Sequence, residues 1–442
     1  MNSTVAGDTD RQYPASSYAW YMVVILTIAY ILSFVDRYVL GLLVEPIKAD
    51  LGLSDTQMGL LGGLAFTIFY ATMGLPLGYL ADRKRRTFIV AAGIFIWSVA
   101  TAASGLARNF AHLFVARVSI GIGEAALSPC AMSMISDSFP REKRGRPIAF
   151  YSAALSLGAG IASLVSAAVL TWAASAEAVA LPFVGAVAPW QFTFFVVGLP
   201  GIFVAALMLT VREPKRQRTP GSEVKPQFLV MLKHVFSRWK IYGSFVVFVC
   251  LMTICAYSQF FNAAMFQRTW GWEAQQYALV NGIVLLAIGP ATVNFAGWIN
   301  DKWFAEGKQD APLRIMIVGA MIFVPTGVIA PLMPDPWLAM AIYAVNTVGI
   351  ATTTATGVTG LMNITPSEIR GQTVALYYMA ISFAGLGIGP TSVGLFSDLV
   401  FGNEHLNYAM AAVPALFGIP VLLLSRYALR AYNGELERQA IT

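Results

Sequence analysis

The sequence predicts an all-α membrane protein, twelve transmembrane helices arranged as two six-helix bundles, and three observations predict it. The chain is far more apolar than an ordinary water-soluble protein, with 57% hydrophobic and 12% charged residues and a mean hydropathy of +0.65. It divides into twelve apolar stretches, each long enough to supply the roughly 20 residues that cross a hydrocarbon core. Short loop motifs recur in the same order in its two halves.

The apolar stretches, spans 1 to 12, run from 18 to 44, 56 to 80, 87 to 106, 111 to 136, 147 to 173, 190 to 211, 242 to 266, 274 to 298, 313 to 332, 337 to 362, 372 to 397 and 405 to 429. Residues 1 to 17 are polar, include Asp8 and Asp10, and lack the basic start, apolar run and cleavage site of a signal peptide, so span 1 is expected to stay in the mature chain. Cys130, Cys250 and Cys255 all fall inside spans, where packing is the expected role; no disulfide framework or metal site is implied.

Most of the 29 Lys and Arg residues fall on one side of these spans. They cluster at Arg83 to Arg86, at Arg141 to Arg146 and between Arg212 and Lys240, whereas the opposite side carries Lys48, Arg108 and Arg268. By the positive-inside rule both termini are cytoplasmic, in an inner-membrane protein. The net charge of +6 then reflects topology and calls for no nucleic-acid partner.

The longest polar stretch separates spans 6 and 7, which gives the domain plan. Residues 1–17 form a cytoplasmic tail, 18–211 a first six-helix bundle, 212–241 a cytoplasmic linker, 242–430 a second bundle and 431–442 a C-terminal tail. In the linker, Pro214, Pro220, Gly221 and Pro226 break regular structure. Beyond them Phe228, Leu232, Val235, Phe236 and Trp239 recur at helical spacing among Lys225, Lys233, Arg238 and Lys240, the pattern of a helix lying in the headgroup layer.

Two motifs recur. After span 2 the chain reads GYLADRKRR from Gly78, and after span 8 GWINDKW from Gly297; after span 4 it reads PREKRG from Pro140, and after span 10 PSEIRG from Pro366. Asp82 and Asp301 thus stand where a helix meets the cytoplasm. A carboxylate there can neutralise the positive N-terminal end of a helix of the other bundle, span 11 for one and span 5 for the other. Arg83, Arg86, Arg144, Lys302 and Arg370 are expected to complete a cytoplasmic gate that closes in one state and breaks in the other.

Well inside the spans, away from their ends, the charged residues are Asp36 and Arg37 in span 1 and Arg117 and Glu124 in span 4. Each costs roughly 2.5 to 3.5 kcal/mol at a helix centre, so they must pair or face a wet cavity. Asp36 lies about 12 Å and Arg117 about 9 Å from the outer ends of their helices, at similar depth. An Asp36 to Arg117 ion pair is therefore expected. It leaves Glu124, about 10 Å deeper on the same face as Arg117, less completely neutralised and able to change its charge, as a proton carrier must. The second half has no mid-membrane charge. Its polar surface is Gln259, Asn262, Asn294, Asn346, Thr352 to Thr354, Tyr377 and Tyr378, interleaved with aromatics. A cavity charged on one wall and amphipathic on the other suits an amphiphile with an anionic head better than a sugar.

Other signals are excluded. Gly385, Gly387 and Gly389 lie in an apolar span with no preceding strand, so they serve helix packing and not nucleotide binding. There is no P-loop, HExxH or GxSxG motif, no nucleophile placed beside a base, and no cofactor is implied; an enzyme is not expected.

The loop motif at Gly78, Leu80, Asp82, Arg83 and Arg86, and the span 4 motif from Arg117 through Gly121 and Gly123, resemble those of the major facilitator superfamily, with Arg85 where a glycine is usual. Within it, FVDR at Phe34 to Arg37, RVSIGIGEA at Arg117 to Ala125 and the WQF, LPG and REP segments from Trp190 to Pro214 resemble the Spinster family over the whole first half. The resemblance implies the two-bundle fold and proton-coupled movement of lysophospholipids, or of sphingoid phosphates such as sphingosine 1-phosphate, by alternating access. Asp36 and Glu124 would be its protonation sites. Arg37 and Arg117, with Tyr377, Gln259 and Asn262 opposite, would bind the substrate or pair the acids. The implied partners are that amphipathic substrate, protons and membrane lipids, with the chain a monomer. The rival readings are a broad exporter of amphipathic drugs or organic anions, and a lipid sensor that transports nothing.

Overall fold

The computed structural model describes residues 13–140, 143–174, 179–181, 185–216, 228–366 and 369–441. Among the described residues, twelve helical spans are long and apolar enough to cross a membrane: Ser16–Leu42, Asp55–Ala81, Arg86–Ser104, Phe110–Ser138, Gly145–Trp172, Pro189–Leu209, Trp239–Trp270, Ala274–Ala305, Ala311–Leu332, Pro336–Asn363, Arg370–Phe401 and Asn403–Arg438. The ends obey local chemistry. Ser54 and Gln57 form a reciprocal capping box at the start of span 2, Asn109 accepts from the His112 amide at span 4, and Asp335 accepts from the Trp337 and Leu338 amides at span 10. Gly271, at φ +70°, ends span 7 in a left-handed turn that a side chain would strain.

Three details differ from the sequence reading. Span 7 begins at Trp239, so Trp239 and Lys240 belong to it; the linker contributes a separate helix, Phe228–Ser237, while residues 217–227 lie outside the described residues. The last helix runs to Ile441, so most of the expected tail continues span 12. Between spans 5 and 6 a small hairpin pairs Val179–Leu181 with Gly185–Val187. Helical periodicity stops at the preceding apolar run, and three-residue strands are too short to leave a pattern in sequence.

Twelve alternating spans place both termini on one face, here the terminal face, with the far face opposite. The buried core shows how the halves meet. At the far face one cluster joins both halves, with Leu40, Leu43 and Leu61 from the first and Phe261, Phe266 and Val393 from the second. Toward the terminal face the core separates, one cluster holding Trp97, Met134 and Met208 with Leu386 of span 11 against it, the other Phe248, Phe323 and Tyr432. Small residues permit the far-face contact. A Cβ on Gly59 would lie 2.5 Å from the Pro390 carbonyl oxygen, and one on Gly394 2.4 Å from that of Asp55, so spans 2 and 11 touch backbone to backbone. Span 11 also carries π-helical turns at Phe383–Ile388 and Ser397–Phe401 that set its path. Spans 5 and 8 join where the Ser163 hydroxyl donates to the Ala278 carbonyl at 2.7 Å. The halves thus share one core at the far face and have largely separate cores toward the terminal face.

Candidate functional site

The four intramembrane charges come together, but not in the expected pairing. Arg37 donates to Glu124 Oε2 from Nε at 2.8 Å and also from its terminal amine. Glu124 Oε1 is buried and makes no hydrogen bond. The Glu124 side chain is 1% exposed and that of Arg37 17%, so the cation is the partner that faces outward from the pair. Arg37 lies against three rings, its guanidinium carbon 4.8 Å from the Phe66 centroid, 5.0 Å from Tyr70 and 5.7 Å from Phe34.

The predicted Asp36 to Arg117 ion pair is absent. Arg117 donates instead to the backbone carbonyls of Leu61 at 3.1 Å and Asp36 at 3.5 Å. Side chains lean toward the N-terminus of their own helix, and spans 1 and 4 run in opposite directions. At equal depth, the Asp36 carboxylate therefore leans toward the terminal face while Arg117 leans toward the far face. The same geometry carries Arg37 down to Glu124, a pairing that depth alone hides. Asp36 itself is 3% exposed, beside Thr101 of span 3.

Tyrosines surround the Arg37–Glu124 pair, and the sequence reading overlooked them. Tyr30 and Tyr151 stack at 5.0 Å, and Tyr70 of the first half and Tyr257 of the second both lie close to Arg37. Their signal was present: tyrosines recurring inside otherwise apolar spans need a polar partner for each hydroxyl. The second-half candidates lie elsewhere. Gln259 donates to Asn346 at 2.6 Å, and Asn346 in turn to the Phe323 carbonyl and Thr326, a network internal to the second half. Asn262 is buried beside Tyr277. Tyr377 packs on Phe245 in the second core, while Tyr378, one residue and about 100° further round the helix, is 51% exposed.

The far face is held by charges that the sequence reading treated as topology signals or left out. Arg268, at the end of span 7, donates to both Asp55 oxygens at 2.7 Å, to Glu45 at 2.8 Å and to the Asn403 carbonyl at 3.0 Å. Lys48 also pairs with Asp55, and Ser397 donates to it at 2.6 Å. Asp398 of span 11 accepts from the Asp55 and Thr56 amides at 3.2 and 2.7 Å. A carboxylate of one half thus caps a helix N-terminus of the other, the arrangement predicted for the opposite face. Beneath this network Phe260 fills a notch in the first half. A Cβ on Gly62 would lie 2.5 Å from its ring, and one on Gly41 2.9 Å from its carbonyl oxygen.

None of the expected gate residues whose side chains are described bonds across the halves. Arg86 is a staple within the first half, donating to Glu213 at 2.7 Å, Ser133 at 2.7 Å, Asp137 at 2.5 Å and the Pro214 carbonyl at 2.9 Å. It is buried because span 3 begins on it, which turns its side chain in toward the ends of spans 4 and 6. Arg144 donates to the Phe139 carbonyl at 2.8 Å and Arg370 to the Thr365 carbonyl at 3.2 Å, so the arginine of the repeated motif makes the same contact, to the carbonyl five residues before it, in both halves. Arg83 lies over the Tyr79 ring and Lys302 over that of Trp298. Asp301 accepts from its neighbour Asn300 at 3.4 Å. The side chain of Asp82 lies outside what is described.

Two repeated bundles that share one core at one face and have largely separate cores toward the other, around buried charges, have the architecture of a membrane transporter. Residues 26–390 match the family model of the Major Facilitator Superfamily, and the chain belongs to that superfamily of transporters. It is 27% identical over 415 residues to an MFS-type efflux pump of Mycolicibacterium smegmatis, covering 92% of this chain and 91% of that one. It is also 27% identical to protein spinster of Drosophila melanogaster, over 46% of this chain and 31% of that one. Among solved structures it superimposes with a TM-score of 0.79 on a bacterial homologue of the human lysosomal transporter Spinster in an inward-facing, unoccupied conformation, at 24% identity over 96% and 99% of the two chains.

Proposed function

We propose that the chain is a secondary active transporter, with both termini cytoplasmic, that moves an amphipathic substrate with an anionic head by proton-coupled alternating access. The observation that carries this reading is the divided environment of Glu124: one oxygen held by Arg37, the other buried without a partner. A proton has a place on Oε1. Once it is there, the carboxyl no longer neutralises Arg37, and the guanidinium, already the more exposed partner, is left as a cation among aromatic rings. An anionic headgroup then restores the balance. With Asp36, Glu124, Arg37 and Arg117 all ionised the cluster is neutral, and one proton plus one anion keeps it so. Charge left uncompensated at this depth is costly, so proton and anion assist each other's binding.

The driving force is adequate. A proton and a monoanion moving together carry no net charge, so the pH difference is what drives them: at one-to-one coupling each unit is worth about 1.36 kcal/mol, a substrate gradient of roughly tenfold. Tyrosine rings and hydroxyls beside Arg37 suit an amphiphile with a polar neck, and lysophospholipids and sphingosine 1-phosphate are the leading substrates. The similarity along nearly the full chain to an efflux pump favours one second reading, export of amphipathic drugs through the same site. Flux of labelled lysophospholipid and sphingosine 1-phosphate in proteoliposomes, with and without an imposed pH gradient, tests the proposal. Gradient-dependent movement of either lipid supports it, and movement of a lipophilic drug but of neither lipid selects the second reading.

A further inference from the structure

We infer that a lipid site lies on the flank of the first half: a groove between spans 2, 3 and 4 at the terminal face that takes a phospholipid with an anionic headgroup. Its volume is about 430 Å³, within the roughly 300–1,000 Å³ of small-molecule sites. Leu77 and Leu80 of span 2 form one wall, Phe88 and Ile96 of span 3 the other, and Gly93 and Gly123 lie at its floor. That floor exists because spans 3 and 4 touch there. A Cβ on Gly93 would lie 2.6 Å from the Gly123 carbonyl oxygen, and one on Gly123 2.7 Å from that of Gly93. Two helices pressed backbone to backbone leave a trough beside the contact, where larger side chains would otherwise stand.

The walls are apolar and the mouth is cationic. Phe88 is 64% and Ile96 43% exposed; in a chain of twelve spans such surface meets lipid. From Phe88 to Ile96 the groove descends about 12 Å at ~1.5 Å per residue, close to the depth of one leaflet's acyl region. Lys84 and Arg85 stand at the top. Among the described residues neither side chain has a hydrogen bond or an ion pair, in contrast to the neighbouring Arg86, whose guanidinium is saturated by Glu213, Asp137, Ser133 and a carbonyl. Their loop is fixed, because Arg216 donates to the Ala81 and Lys84 carbonyls at 2.6 and 2.7 Å. Basic pockets between helices at a membrane face recognise anionic headgroups, and here the cations sit above a slot of acyl-chain length. A bilayer lipid is the occupant that satisfies both ends at once. The proposal concerns lipid held, not lipid moved, so it stands or falls independently of the substrate of the central site.

Native mass spectrometry of the delipidated full-length protein, titrated with dioleoyl phosphatidylglycerol or dioleoyl phosphatidylcholine, tests it. The expected result is tighter retention of the anionic lipid. Lys84→Gln and Arg85→Gln should each lower its affinity roughly fivefold and leave the zwitterionic lipid unchanged. Ala92→Trp, which fills the groove and keeps both cations, should lower retention of both lipids. Ile96→Ser, on the exposed wall, should act in the same direction and serves if the larger residue impairs folding. Equal retention of the two lipids by the native protein overturns the proposal. So does undiminished phosphatidylglycerol binding in the groove variants, or displacement of the lipid by soluble glycerol phosphate at equal concentration, which would mean surface cations holding a headgroup alone.

Discussion

Arg37 and Glu124 form a buried ion pair in the middle of the first half: Nε meets Oε2 at 2.8 Å, while Oε1 of the same carboxylate has no partner. The two residues come from antiparallel helices and different depths, and the length of the arginine closes the gap. Removing one partner alone should be far worse than removing both, because a stranded charge is then left in the membrane. Arg37→Ala should cost about 3–5 kcal/mol. The double variant Arg37→Ala with Glu124→Gln should recover most of that loss. Thermal unfolding in one detergent measures the cycle, and additive losses would contradict the pair.

The far-face network predicts a local effect. Arg268 binds Asp55 and Glu45 and bridges to the Asn403 carbonyl. Arg268→Gln should raise amide hydrogen exchange across Asp55–Gly62 by at least tenfold while leaving span 3 protected. Exchange equal to the native protein's would mean that this network does not hold the face shut.

Phe260 predicts a steric effect. A Cβ at Gly62 would meet its ring at 2.5 Å, so Gly62→Val should wedge the halves apart at the far face. Spin labels placed across that face should report a longer mean distance in the variant. An unchanged distance distribution would show that the notch can yield.

Glu213 lies beyond the end of span 6 and gives a pH dependence. Burial pushes its carboxyl up, but the Thr87 amide and the Arg86 guanidinium outweigh that and hold it below its ordinary 4.5. A carboxylate depressed in the folded state adds stability that is fully present above its unfolded value and is lost as the pH falls through the folded one. Glu213→Gln should therefore cost about 1.5–3 kcal/mol at pH 7 and progressively less below about pH 4.5, as the native protein loses the same contact. A melting difference that stays constant from pH 7 to pH 3 would contradict the assignment.

Span number, bundle symmetry and the four central charges were all legible in the sequence, because crossing a bilayer forces long apolar runs and makes each intramembrane charge conspicuous. Partner choice was not. Asp36 and Arg117 share a depth, but side chains on antiparallel helices lean opposite ways, so Arg117 reached a carbonyl and Arg37 took the acid. The charge network of the far face went unread for a related reason. The clustered arginines of the terminal face drew attention by number, whereas Arg268 and Asp398 are single residues at span ends. Their importance comes from meeting Asp55 across the two halves, a contact made by residues far apart in the chain. Tyr377 and Tyr378 could not be told apart until the helix was rotated into place.

The measurement that bears most directly on the central claim is gradient-driven lipid flux by Glu124→Gln in proteoliposomes. The glutamine keeps an acceptor for Arg37 but cannot take up a proton, so the variant, though less stable because the guanidinium is left uncompensated, should in its folded fraction transport without responding to an imposed pH gradient. Flux that still follows the gradient as the native protein's does would contradict the assignment of Glu124 as the proton carrier.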